Sequence, residues 1–221
     1  MMGYTALSII LSVMCLSGAA YAQSAYLIPG LSRDAAWINV DLDETISATQ
    51  AGLHILAQNA GDSSPSTLAV GWHRDGIGAA GAQASAPAIK AETGYDPVLN
   101  RSEQIIILFD QPVMRTDIDV TYFYRGEGKH GDAIYHERGG WRAYRGETET
   151  GQGLFLPESE GGAHLIMIRT REPFDRLELF ATPYVREDGT EIAPGLITTD
   201  SSDFLVKRIA YRPVHEIRAG H

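Results

Sequence analysis

The fold class predicted for this 221-residue chain is all-β, a single jelly-roll-like antiparallel β-sandwich, and three observations carry it. Short runs rich in Ile, Val, Phe and Tyr recur along the sequence, the composition that fits a pleated, half-buried surface. Gly, Pro, Asp and Asn separate these runs, which are the residues that turns require. A sustained 3.6-residue apolar period is missing. Only Leu42 to Gly52 approaches one, and the β-branched Thr45, Ile46 and Thr49 oppose it.

The first 22 residues read as a secretory signal peptide. Met1 to Ala22 carry no charged side chain, run apolar from Ala6 through Leu16 and end on Ala20-Tyr21-Ala22, an A-x-A cleavage site. The basic segment that usually precedes the apolar run is missing. The run is shorter than the roughly 20 residues a membrane-spanning helix needs. Cleavage after Ala22 divides the chain into a signal, 1–22, and one β-sandwich domain, 23–221. Cys15 is the single cysteine, so the mature domain has no disulfide and no thiol for catalysis or metal binding. Val13-Met14 ahead of Cys15 does not suit lipoprotein processing. The expected setting is secreted or periplasmic.

Within the domain, strands are predicted at Trp37–Val40, Leu53–Gln58 and Thr67–Trp72, with a turn at Asn59-Ala60-Gly61-Asp62. A glycine- and alanine-rich loop follows from Asp75 to Ala88. Gly76, Gly78 and Gly81 have dinucleotide-fingerprint spacing, but Pro87 and small residues follow where that motif needs a helix. Gln104–Phe109 is a buried strand ended by Asp110-Gln111-Pro112, and Ile118–Tyr124 is the next. Ala133–His136 and Trp141–Tyr144 flank Glu137-Arg138-Gly139-Gly140 as a hairpin. Gly153–Leu156, His164–Arg169, Arg176–Ala181 and Phe204–Tyr211 complete the set.

One ordered arrangement among these elements resembles a known group of domains. It runs from Asp75-Gly76-Ile77-Gly78, through a Glu103-initiated strand into Phe109-Asp110-Gln111-Pro112-Val113, to the strand Ile118–Tyr124 and the hairpin ending in Trp141. Pro173-Phe174-Asp175-Arg176-Leu177-Glu178-Leu179 and the closing Ser202-Asp203-Phe204-Leu205-Val206 finish it. The order, over roughly Trp72 to Tyr211, is similar to jelly-roll-like sandwich domains of bacterial secreted and surface proteins of PEP-CTERM and calcium-binding adhesin type. The resemblance implies that fold, an extracytoplasmic setting and, in some members, calcium. The chain shows neither the C-terminal sorting helix nor an adhesin repeat array.

Charge narrows the partners. With 28 Asp and Glu against 18 Lys and Arg, the formal charge is −10, which repels nucleic acid and anionic lipid surfaces. No membrane insertion of the mature chain is expected. Calcium takes hard oxygens from loops, and Asp200 and Asp203, in the run Asp200-Ser201-Ser202-Asp203, are the candidate metal ligands; Asp75, Asp96, Asp117 and Asp119 are further acidic positions. The seven histidines show no H-x-H or H-E-x-x-H spacing, and no Gly-x-Ser-x-Gly elbow is present. No catalytic residue is assigned.

The candidate ligand-binding residues are Tyr122, Tyr124, Tyr135, Trp141, Arg142 and Tyr144, interleaved with Arg125, Arg138 and Arg145. Aromatic rings flanked by arginines stack sugar rings and hydrogen-bond their hydroxyls. The expected function is a secreted, non-catalytic binding module for a glycan or another cell-envelope component. Two alternatives stay open. A structural or assembly protein of the envelope or surface matrix would show an exposed apolar patch or an unpaired edge strand. An envelope glycan hydrolase or lyase on the same fold would show a close carboxylate pair or an Arg-His-Tyr cluster in a deep cleft.

Overall fold

The structure, a computed structural model, describes residues 31–32, 37–42, 49–50, 52–60, 67–80, 92–193, 196 and 202–216. The segment predicted as an export signal with its cleavage site, residues 81–88 of the predicted glycine-rich loop, and Asp200 lie outside them. The described chain is all-β and antiparallel, with no helix among the described residues. The short strands β1 (Leu31–Ser32), β2 (Ile38–Asp41) and β3 (Thr49–Gln50) lead into β4 (Leu53–Ala60), β5 (Thr67–His73), β6 (Gly76–Ala80) and β7 (Thr93–Asp96). Then come β8 (Arg101–Thr121), β9 (Gly128–His130), β10 (Ala133–Arg145), β11 (Thr148–Phe155), β12 (His164–Val185), β13 (Asp203–Pro213) and β14 (His215–Glu216).

Two long strands organise everything else. β8 has 21 residues and β12 has 22, and they pair along most of their length. Their register breaks between Arg169 and Phe174 and again between Phe174 and Arg176, so extra residues bend both strands at one level. Pro112 sits at this bend, where no ladder N–H is needed, and its carbonyl accepts Val214 N–H at 2.7 Å. The bend splits the sheet. Residues 102–109 of β8 pair with β4, whereas 113–121 pair with β13. Pairings β4–β5, β5–β6 and β6–β13 then close a ring back onto β8, which gives the sheet a barrel-like closure. β10 continues from the second half of β12, and β11 follows as the outermost strand.

The core is the inner face of this folded sheet. Ile105, Ile107, Ile118, Ile168, Leu177 and Leu179 are fully buried, as their alternation along β8 and β12 requires. Phe123, Phe155 and Phe204 form one aromatic group with ring centroids 5.2–6.1 Å apart. Phe109 meets Phe174 and Tyr211 in a second. Each such side chain contributes about 1.5–3 kcal/mol by leaving water.

Four local expectations change. Gly76–Ala80, at the start of the predicted loop, form β6 and pair with β5 and β13. Glu137-Arg138-Gly139-Gly140 is not a turn, because β10 runs unbroken from Ala133 to Arg145 and the hairpin turns at Gly146, φ +58°. The glycines serve close packing instead: a Cβ on Gly139 would lie 2.0 Å from Phe155 Cζ. Asp110-Gln111-Pro112 bends β8 without ending it. The strand stops at Thr121, and Tyr122 takes a left-handed backbone with φ +58°.

Candidate functional site

The six aromatic and arginine candidates do not share one surface. Strand alternation on β10 divides three of them, Trp141 from Arg142 and Tyr144. Trp141 faces inward with the buried Ala143, half-buried and packed against the main core. Gly153 on β11 makes room for it, since a Cβ there would stand 2.7 Å from the indole Nε1. Arg142 and Tyr144 face outward. Tyr135 is buried with Tyr184 and Ile192 in a small separate cluster, and its hydroxyl accepts Arg186 Nη2 at 3.0 Å.

The outward face of β10 and β12 forms a polar-aromatic platform. The Arg142 guanidinium lies 5.0 Å from the Phe180 ring centroid, and that of Arg176 lies 4.2 Å from Tyr144, both within cation–π range. Glu178 is buried between them, opposite Arg142 on β10 and Ile106 on β8, with Oε1 3.5 Å from Arg176 Nε. Burial raises its pKa and the two arginines oppose that rise. Leu154 of β11 extends this face, 64% exposed. Two further exposed apolar side chains, Leu165 and Met167, stand opposite Asp119 and Asp117 at the first half of β12.

Tyr122 and Tyr124 sit at another end. Their rings meet edge-on at 6.4 Å. The Tyr122 hydroxyl donates to Asp75 Oδ2 at 3.0 Å, which Arg74 Nε also reaches at 3.1 Å. His73 lies edge-on to Tyr122 at 5.8 Å, and its Nδ1 accepts Asp75 N–H at 3.2 Å. The bond from Tyr122 lowers the Asp75 pKa, and the same bond raises that of Tyr122. This Arg-His-Tyr cluster joins the β5–β6 turn to the residue that follows β8. A non-glycine residue held at positive φ stores strain that functional sites often carry.

Beneath this end lies Glu137, fully buried. Its carboxylate accepts the N–H of Tyr124 and, at 3.0 Å, that of Asp203. It thereby ties the 122–124 segment to the start of β13. Burial, and then the charge of Asp203, push its pKa well above the ordinary value of 4.5. Asp203 is the described member of the pair expected to bind calcium. Both Glu137 oxygens are taken by backbone donors, and no group of three or more His, Cys, Asp or Glu among the described residues is placed to share an ion. No helix among the described residues is long and apolar enough to cross a membrane.

No known protein family matches this chain, and no curated protein does. The site therefore rests on its own geometry.

Phe180, Arg176 and Glu178 were missed by sequence reasoning, although Arg176-Leu177-Glu178-Leu179-Phe180 alternates with a period of two. That pattern gave their face. It became a site only once β10 was seen to pair Arg142 with Glu178 and Tyr144 with Arg176. Asp75 stands two residues from His73 and beside Arg74 in the sequence. Nothing in the sequence joins them to Tyr122, 47 residues away from Asp75.

Proposed function

We propose that this chain is an exported, non-catalytic binding module for a glycan or another envelope component, its sandwich of jelly-roll type and its signal removed after Ala22. The outward face of β10 and β12 is the binding surface in this reading. The observation that carries it is the pair of guanidiniums resting on aromatic rings, Arg142 on Phe180 and Arg176 on Tyr144. A guanidinium held on a ring has little conformational entropy left to lose when it binds. Its N–H groups suit the closely spaced oxygens of a sugar, and the shallow face suits an extended polymer.

A glycan array with and without calcium tests the reading, comparing wild type with the Arg142→Ala, Tyr144→Ala double variant. Expected is a bound glycan whose affinity falls at least about tenfold in the variant. An array with no hit, or a hit indifferent to both substitutions, overturns it. The calcium arm tests the ligand role of Asp200 and Asp203.

A second reading, an envelope glycan hydrolase or lyase, is favoured by one observation, the His73-Arg74-Asp75-Tyr122 cluster with its strained Tyr122 backbone. Release of new reducing ends or unsaturated products from an array-positive glycan, lost in Tyr122→Phe, would establish it.

A further inference from the structure

The turn after β12 places a carboxylate against a cradle that it need not fill. Arg186 to Thr190 is self-supporting: Arg186 N–H donates to Thr190 O and Gly189 N–H to Arg186 O, both at 2.9 Å, and Thr190 N–H donates to Asp188 Oδ1. This rigid turn presents Glu187. The Glu187 side chain is 72% exposed, yet its carboxylate receives Arg125 Nη2 on both oxygens and sits 2.9 Å from His136 Nε2. The Arg125 bond holds its pKa below the ordinary carboxylate value. Arg125, His136 and Arg186 line a depression with Glu187, and Leu156 and Pro157 form its apolar wall.

The asymmetry between the two sides is the point. The cradle is built. The His136 side chain is only 13% exposed, with a buried Nδ1 that has no hydrogen-bond partner, and Arg125 leaves a segment anchored by Tyr124 N–H on buried Glu137. The occupant is loose, because an exposed ion pair holds weakly and Glu187 can swing away by side-chain rotation while its turn stays in place. In a chain of net charge −10, Arg125 and His136 converge on this exposed carboxylate, and Arg186, its guanidinium on Tyr135, lines the same depression.

We infer that this depression is a carboxylate subsite, that Glu187 is its built-in stand-in, and that the natural occupant is a uronic acid unit of the glycan. The inference rests on the binding-module reading. Arg125 supplies a planar fork that matches a carboxylate, and His136 Nε2 supplies a further contact. Leu156 and Pro157 offer a surface for the C–H face of a sugar ring. A neutral sugar would leave the fork with Glu187 and gain nothing there.

Isothermal titration with galacturonate oligomers, and with the same oligomers as methyl esters, tests this. Wild type should bind the acid and not the ester, and more weakly as salt rises. Glu187→Gln should bind the acid about two- to fivefold more tightly, since it removes a competitor worth no more than an exposed ion pair. Arg125→Ala should lose binding, and Arg125→Lys should retain only part of it; a thermal melt confirms that each variant is folded. His136 ring signals should shift on titration with the acid. Equal binding of acid and ester, or binding unchanged in Arg125→Ala, overturns the subsite. So does the absence of acid binding in both wild type and Glu187→Gln. If array glycans are still bound through Arg142 and Tyr144 in those cases, the module reading survives without the subsite.

Discussion

Glu103 and Glu137 are buried carboxyls on either side of the β7–β13 pairing, and they are held in opposite ways. Glu137 has a backbone donor on each oxygen, Tyr124 N–H and Asp203 N–H. Glu103 has one, Gly94 N–H at 3.1 Å on Oε2, and its buried Oε1 has no partner. Thr93, next to Gly94, also carries a buried hydroxyl without a partner. Burial raises both pKa values, that of Glu103 to about 7. A carboxylate with two donors works as a clamp between distant segments. One with a single donor is a titrating weak point beside a short strand.

Phe204 links the two places, since it pairs with Thr93 on β7, follows Asp203 on β13 and meets Phe123 and Phe155 in the core. Phe204→Ala should cost about 3–5 kcal/mol in urea unfolding, the largest effect expected. A cost below about 1 kcal/mol would mean that the two carboxyls are not supported by one core.

Next comes the pH response. Folding raises the Glu103 pKa from an ordinary 4.5 to about 7, so the folded state keeps the proton that the unfolded chain releases. This contribution is complete below about 4.5 and is lost as pH rises through about 7, roughly 3 kcal/mol in all. Glu103→Gln keeps an acceptor for Gly94 and removes the titration, so urea melts at pH 4.5 and 8 should draw together. A pH slope unchanged in the variant would assign the titration elsewhere.

Glu137→Gln separates the clamp from the weak point. An amide has one acceptor oxygen for two backbone donors, so the variant should lose about 1–3 kcal/mol where Glu103→Gln at high pH gains stability. Equal behaviour of the two glutamine variants would erase the distinction. The smallest effect belongs to Thr93→Val, which removes an unpartnered hydroxyl and should add about 1 kcal/mol of stability, read as a rise in melting temperature.

These contrasts show what the sequence could and could not display. The strands were legible because burial writes a period of two: Ile105 and Ile107, Leu177 and Leu179, Phe204 and Val206 all fall where alternation or a buried run placed them. The joins were not. Pro112 and Gly139-Gly140 carry the chemistry of turns, and only tertiary neighbours decide that they sit inside β8 and β10, where a bend needs no donor and phenylalanine rings need the space. The candidate site followed the same division. Arg142 and Tyr144 were found from composition and lie on one face, whereas Tyr135 and Trp141, identical in kind, were taken up by packing. Glu187 had no local signal beyond the turn sequence Glu187-Asp188-Gly189, because its meaning comes from Arg125, 62 residues earlier.

The pairing of β2 with β13 has a kinetic consequence. Residues 38–41 join residues 208–211, so the ring's neighbourhood is completed by strands from opposite ends of the chain. Loop closure over such a distance precedes any reward from the contacts it allows, and β-folds dominated by distant pairings form in milliseconds to seconds. β13 must leave the ribosome before β2 has its partner. Until then β2 keeps an unpaired edge, which leaves it open to aggregation during synthesis.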